Sequence, residues 1–189
     1  MLGKKIIIVS GLPRSGTSMM MAMLEAAGIP TLTDNLRKAD QDNPKGYWEL
    51  QKVKQIQKDQ SWLPQAQGKA VKMISALLEF LPPNYHYQVV FMEREMKEIL
   101  LSQQKMITRR KEQNSISDKK MKDLFENHLK EIKTWLKKQS NFEVLYLSYN
   151  QTLKNPDKTI QALKRFLKKD LNLAKMSKVV DPKLHRNQK

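Results

Sequence analysis

The chain of 189 residues contains no cysteine. That excludes disulfides, thiol nucleophiles and cysteine-ligated metals, and it suits a reducing cytosol. Acidic residues are scarce beside basic ones, 19 against 35, for a formal net charge of +16. A field of that sign attracts anions: nucleic acid, acidic lipid or a small polyanion. Aromatic residues make up only 7%, and no RNA- or DNA-binding motif accompanies the charge, so nucleic acid is not the expected partner. No apolar run approaches the roughly 20 residues of a membrane span. Lys4 and Lys5 lead into only four consecutive apolar residues, Ile6 to Val9, too few for a signal-peptide core. A cytoplasmic location is expected. There is no internal repeat, and the length fits one domain, 1–189, with a basic, irregular tail from about Leu171.

What is present is an alternation of strand-like and helix-like segments. The run "IIIV" marks a strand at 5–10, short, β-branched and followed by glycine. A helix over 16–28 ends at Gly28. Residues 29–46 read as loop or short strand, and Tyr47 to about Gln60 as a helix. Strands follow near 69–74 ("QGKAVKMI") and 86–92 ("HYQVVFM"), then a helix from about Glu95 to Arg110. "KEQNSISD" is a polar connector. Residues 118–139 place Met121, Leu124, Phe125, His128, Leu129, Ile132, Trp135 and Leu136 at helical spacing, with a solvated lysine-rich face opposite. "FEVLYLS" is a strand at 142–148, and "NPDKTIQALKRFLKK" is a helix with Pro156 near its start. Strands alternating with helices imply a parallel sheet wrapped by helices. Ligands bind such sheets beyond the C-terminal strand ends, where Gly11 lies.

The stretch "GLPRSGTS", residues 11–18, has the build of an anion-binding loop. A helix N-terminus offers unpaired N–H groups and a partial positive charge. Gly11 and Gly16 permit turns that strain other residues, and Ser15, Thr17 and Ser18 add hydroxyl donors. The nucleotide loop G-x-x-x-x-G-K-[ST] is not matched: Thr17 stands where its lysine belongs, and Arg14 comes three residues earlier.

"GLPRSGTS" resembles the 5′-phosphosulfate loop of sulfotransferases, which carries Lys or Arg at the position of Arg14 and lacks the later lysine. "GLPRSGTSMMMAML" is similar to the loop and helix of tyrosylprotein sulfotransferases. "VKMISALLEFLPPNYHYQVVFMEREMKEILLSQ" resembles the middle of that fold. There an Arg and a Ser, here Arg94 and Ser102, grip the 3′-phosphate of the donor 3′-phosphoadenosine 5′-phosphosulfate (PAPS). "VLYLSYNQTLKNPDKTIQALKRFL" resembles the family's late strand, turn and helix. "DNPKGYWE" and "VDPKLHR" resemble segments of small bacterial sulfotransferase-like proteins. The resemblance implies an α/β fold of the sulfotransferase type: a three-layer, P-loop NTPase-like parallel sheet flanked by helices. It implies a sulfotransferase that uses PAPS as sulfuryl donor, an unidentified hydroxyl or amine acceptor, and no metal. Donor-binding roles fall on Gly11, Pro13, Arg14, Ser15, Gly16, Thr17, Ser18, Arg94, Ser102 and Arg186, and Arg14 also serves catalysis.

The chain also departs from its relatives. Cytosolic small-molecule sulfotransferases carry "K-T-H" after the second strand, with the His as general base. Here the run is "VKMIS": Lys72 is kept, as a candidate partner of the sulfonate, and Ile74 occupies the His position. His86, His128 and His185 do not replace it; His128 reads as a structural helix residue. Tyrosylprotein and heparan-type sulfotransferases use a glutamate after the first helix, which points to Glu49 as base, with Asp34 and Asp42 behind it. Tyr47 and Trp48 belong to the core or face the acceptor or adenine. Two other readings compete. "QVVFME" imitates the apolar strand and acid that hold Mg²⁺ in P-loop NTPases and kinases. A non-catalytic nucleotide- or nucleic-acid-binding relative would account for the lost His.

Overall fold

A computed structural model describes residues 4–40, 43, 46–109 and 116–181. Four strands form one sheet: β1 (Ile6–Gly11), β2 (Ala70–Lys72), β3 (Tyr87–Glu93) and β4 (Phe142–Ser148). All pairings are parallel, in the order β2-β1-β3-β4. Helices α1 (Thr17–Ala26), α6 (Pro156–Leu167) and α7 (Leu173–Val179) cover one face. The long helix α4 (Asp118–Leu136) and the segments between Val53 and Leu81 cover the other. The expected α/β architecture is present, with helical layers on both sides of a parallel sheet.

Burial on both faces explains the unbroken apolar strands. Ile7, Val9, Val90 and Met92 point into a core with Met20, Met23, Leu24, Ile160, Leu163 and Met176. Their neighbours Ile6, Ile8, Val89 and Phe91 point the other way, against Val53, Ile56, Trp62, Leu78, Ile132 and Leu136. A strand buried on both sides carries no polar alternation.

Several boundaries differ from expectation. No helix runs from Tyr47 to Gln60. Gly46 (φ 97) and Trp48 (φ 48) are left-handed, and Leu50 is extended. The carboxylate of Asp34 takes the N–H of Gln51 at 2.6 Å, and Glu49 accepts from the N–H of Asp34 at 3.1 Å. These long-range bonds hold residues 31–40 and 46–50 together as a strap, and only a 3₁₀ turn at Gln51–Gln55 and the short α2 (Leu63–Ala66) follow. The strand expected at 69–74 is the shorter β2, after which a second 3₁₀ turn, Ser75–Phe80, packs beneath α4. Helix α3 (Met96–Arg109) lies close to its expected place, and a separate α5 (Tyr149–Lys154) precedes α6.

The tail is not irregular from Leu171. Helix α7 is capped by Asn172, whose side chain accepts the Lys175 N–H at 3.1 Å, and Met176 is fully buried in the α1 core. Apolar residues spaced too sparsely to signal a helix are recruited by α1. Among the described residues no helix is long and apolar enough to cross a membrane. Met176→Ala is expected to cost about 2–5 kcal/mol, the usual range for emptying such a position. Urea unfolding measures it; a loss below about 0.5 kcal/mol, as at a surface site, would detach α7 from the core.

Candidate active site

The site lies beyond the C-terminal ends of β1, β2 and β3, in a cavity of about 530 Å³. Its floor is the loop between β1 and α1. Gly11 (φ 144) pairs with Met92 in the β1–β3 ladder, and a Cβ there would stand 2.4 Å from the Met92 carbonyl oxygen. Gly16 (φ 98) ends the loop as the residue before α1, where a Cβ would meet the Tyr149 ring at 2.4 Å. No side chain caps the α1 N-terminus, so its first N–H groups are available to an anion. Gly11, Pro13, Arg14, Gly16, Thr17 and Ser18 all line the cavity.

Ser15 does not. Its side chain is fully buried beneath Gly11, without a hydrogen-bond partner, and its N–H donates to the Leu12 carbonyl at 3.2 Å. The Ser15 hydroxyl, expected as a donor to the anion, thus points away from the cavity: the turn that exposes Arg14 rotates the next side chain inward.

Arg14 sits in the left-handed region (φ 69). Its Nε donates to Ser102 Oγ at 2.8 Å, and its carbonyl accepts from Arg94 Nη1 at 3.0 Å. Arg94 stands just before α3, and its Nε is paired with Glu98 at 2.7 Å. Its guanidinium lies 4.4 Å from the centre of the Tyr149 ring. Arg94 and Ser102 thus meet on two sides of Arg14, and the two expected anion sites are contiguous. Arg186 and Asp42 lie outside the described residues.

The opposite wall carries Lys72 and Glu49. Lys72, at the end of β2, has a side chain only 12% exposed. Its Nζ donates to Ser18 Oγ at 3.2 Å and to the Tyr47 carbonyl, and lies 3.5 Å from Glu49 Oε1. Burial brings the Lys72 ammonium down to about 8, against the pull of Glu49. Glu49 lies in the extended strap, not at a helix start. Burial would raise its carboxyl, but Lys72, Arg37 and Lys54 together hold it below the usual carboxylate range. Arg37 donates to Glu49 Oε1 at 2.9 Å and stacks 3.4 Å from the centre of the Tyr47 ring. Asn43 ties the strap to the loop helix by donating to Ser18 Oγ at 2.8 Å.

Ile74 is 43% exposed on the same wall. His128 is half-buried on α4, bonded to Ser75 at 2.8 Å, and His86 is exposed just before β3. Neither lines the cavity, and His185 lies outside the described residues. Asp34 spends its carboxylate on the backbone of Leu36 and Gln51. Among the described residues no group of three or more His, Asp or Glu side chains is placed to hold a metal ion. Sequence reasoning missed Arg37, Lys105, Arg109 and Tyr149 as wall residues. Arg37 sits in a stretch without periodicity or motif, and only the strap's fold brings it to Glu49.

The Glu49–Lys72 contact has a measurable consequence. Glu49→Gln removes the charge that holds the ammonium protonated, so Lys72 is expected to titrate below its present value of about 8. An NMR titration of the lysine ε-carbon checks this; an unchanged midpoint would mean the two groups do not interact in solution.

The chain matches the sulfotransferase domain family over residues 4–186. No curated protein sequence matches it significantly. Solved structures share the fold, among them three sulfotransferases. The sulfotransferase domain of the Synechococcus PCC 7002 olefin synthase superposes with a TM-score of 0.58 at 13% identity, over 97% of this chain and 86% of that one. Mouse SULT7A1 in complex with PAP gives 0.55 at 18% identity, over 94% of this chain and 62% of that one. The sulfotransferase domain from the curacin biosynthetic pathway gives 0.53 at 14% identity, over 89% and 75%. The chain belongs to the sulfotransferase family.

Proposed function

We propose that the cavity binds PAPS and transfers its sulfuryl group to a hydroxyl-bearing acceptor, with Glu49 as general base. The observation that carries this reading is the convergence of Arg14, Lys72, Glu49, Arg94 and Ser102 around one cavity at the α1 N-terminus. A donor with phosphate at both ends of its ribose needs two neighbouring anion sites, and a PAP complex of a structural relative occupies the same fold. No lysine follows Gly16 to reach β,γ-phosphates, which disfavours the NTPase reading.

Each side chain then has a task. The N–H groups at the start of α1, with Thr17 and Ser18, hold the 5′-phosphosulfate. Arg94 and Ser102 hold the 3′-phosphate, for which a forked guanidinium is suited. Lys72 faces the sulfonate. Glu49 takes the acceptor's hydroxyl proton as the acceptor oxygen bonds to sulfur. The sulfur–oxygen bond to the phosphate breaks, its electron pair stays on the phosphate oxygen, and Arg14 meets that charge. The products are a sulfated acceptor and 3′,5′-ADP. Anions brought by the donor compete for Lys72 and loosen its hold on Glu49, which readies the carboxylate. Ile74 contributes no base.

The desulfated product tests the donor site without an acceptor. 3′,5′-ADP is expected to stabilise the protein without divalent metal, by about 2.7 kcal/mol at 100 times its Kd, and 5′-AMP much less. Arg94→Ala should weaken 3′,5′-ADP by about 1.5–3 kcal/mol, the range for a bond to a charged group, and leave 5′-AMP nearly untouched. Equal loss of both nucleotides would indicate a damaged fold.

Transfer rates test the base. Glu49→Gln is expected to keep 3′,5′-ADP affinity within about twofold and to cut transfer by about 10²-fold or more. In the wild type, kcat/KM should fall in acid as Glu49 is protonated, below the ordinary glutamate range. It should fall again as pH rises through about 8, where Lys72 loses its charge. Loss of the acid limb in Glu49→Gln assigns it to this carboxylate. A variant with wild-type transfer would remove Glu49 from the role.

A further inference from the structure

A second cavity of about 320 Å³ adjoins the first, within the roughly 300–1,000 Å³ of small-molecule pockets. The two share a wall made of Arg37, Tyr47 and Glu49. Glu49, the candidate base, therefore borders both. Tyr47 is buried and held by Asp40 at 2.7 Å, whereas Arg37 keeps a side chain 29% exposed. Arg37 closes the wall, bonded to Glu49 Oε1 at 2.9 Å and stacked on the Tyr47 ring, so passage between the cavities requires this side chain to move.

The lining of the second cavity differs in kind from the first. The donor cavity carries Arg14, Arg37, Lys72, Arg94, Lys105 and Arg109 against the carboxylates of Glu49 and Asp181. The second carries two cations, Arg37 and Lys38, against two carboxylates, Glu25 and Glu49. A polyanion is drawn to the first and gains nothing from the second. The second offers hydroxyl, amide and carboxylate groups from Thr33, Asn35 and Glu25 around the indole of Trp48.

The indole is fixed in place. Its Nε1 donates to Glu25 Oε2 at 3.0 Å, and the other oxygen of Glu25 accepts from Thr31 at 2.9 Å. Part of the Trp48 ring packs on the α1 core, and Trp48 also lines the cavity. Backbone strain marks the same place. Four described non-glycine residues are left-handed: Arg14, Asn35, Trp48 and Lys168. Lys168 is an ordinary helix C-cap, and Arg14 belongs to the donor loop. Asn35 (φ 55) and Trp48 (φ 48) both line the second cavity. Strain of this kind persists where surrounding structure holds a side chain in a working position.

We propose that the second cavity is the acceptor site and that it takes an uncharged, hydroxyl-rich ring compound, a saccharide, with Trp48 as the platform under the ring. This rests on the sulfotransferase reading above and names its acceptor class. An aromatic face buries the C–H side of a sugar ring, while amide, hydroxyl and carboxylate groups bond the hydroxyls at its edge. A phenol or steroid would require an apolar lining, and Trp48 is the large apolar side chain this cavity presents apart from the shared Tyr47. One hydroxyl of the ring passes the Arg37 side of the wall, gives its proton to Glu49 and bonds to the donor sulfur. The bridging phosphate oxygen leaves with the electron pair.

Saturation-transfer NMR tests this with glucose, N-acetylglucosamine, maltose and cellobiose beside 2-naphthol, each with and without 3′,5′-ADP. Radiolabelled PAPS then reports transfer to the same compounds. At least one saccharide is expected to bind and to be labelled. Trp48→Ala should weaken that saccharide about tenfold or more, Trp48→Phe should restore most of the loss, and 3′,5′-ADP binding should be unchanged in both. Asn35→Gly, which relieves the backbone and removes the amide, should weaken the saccharide while raising thermal stability or leaving it unchanged. Binding of 2-naphthol but of no saccharide would overturn the proposal, as would saccharide affinity indifferent to Trp48→Ala. A wild type that binds a saccharide but no 3′,5′-ADP would instead overturn the donor reading.

Discussion

The close approach of Gly11 to the Met92 carbonyl is the constraint on which the site depends. Only a residue without Cβ fits there, because a methyl would stand 2.4 Å from that oxygen. The β1–β3 ladder thereby runs to the last residue of β1, and the chain turns into the anion loop directly beside the end of β3. Arg94 follows β3 immediately. It reaches the loop across a sequence separation of 80 residues and takes the carbonyl of Arg14. Ser102, two turns into α3, receives the Arg14 guanidinium. A larger residue at position 11 would part the strand ends and separate these three groups.

Charge is handled by pairing across the sheet end. Lys72 and Glu49 are both largely buried, and each offsets the desolvation of the other. Arg37 and Lys54 add further positive charge at Glu49. A buried pair of this kind is weak ground for stability, since desolvation consumes much of its Coulomb gain. Its value is chemical: it keeps a carboxylate ionised and an ammonium titratable within reach of the same anion site. The lining of the first cavity is rich in cations and that of the second is balanced in charge, so the one suits a polyanion better than the other.

The strap formed by residues 31–40 and 46–50 is where the chain departs furthest from its local pattern. "KGYWELQKVKQIQK" has helix-forming residues at serviceable spacing, yet Gly46, Trp48 and Leu50 are held out of helical geometry by contacts with Asp34 and Thr33. Tertiary bonds outweigh propensity here because each propensity term is only a few tenths of a kcal/mol, whereas a backbone bond left unmade in a half-buried strap costs about 1–3 kcal/mol. The same contacts bring Glu49 and Arg37 together and turn Trp48 into the second cavity. Helix α7 illustrates the converse: a weak local pattern becomes a helix once Leu171 and Met176 find the α1 core.

The sequence by itself determined the sheet and the anion loop. Apolar runs such as "IIIV" and "YQVVFM" carry their burial in their composition, and Gly11, Arg14 and Gly16 carry theirs in a contiguous motif. Local information suffices because the strand period and the glycine turn act within a few residues. The resemblance to sulfotransferases, rather than any local geometry, singled out Lys72, Arg94, Ser102 and Glu49, all of which line the cavity. Tertiary structure alone decided that Ser15 turns inward, that Arg37 pairs with Glu49, and that Trp48 and Asn35 share a second cavity. The orientation of a side chain in a loop has no period to announce it. It follows from partners such as Glu25 and Thr33, which are neighbours of Trp48 only after the chain has folded.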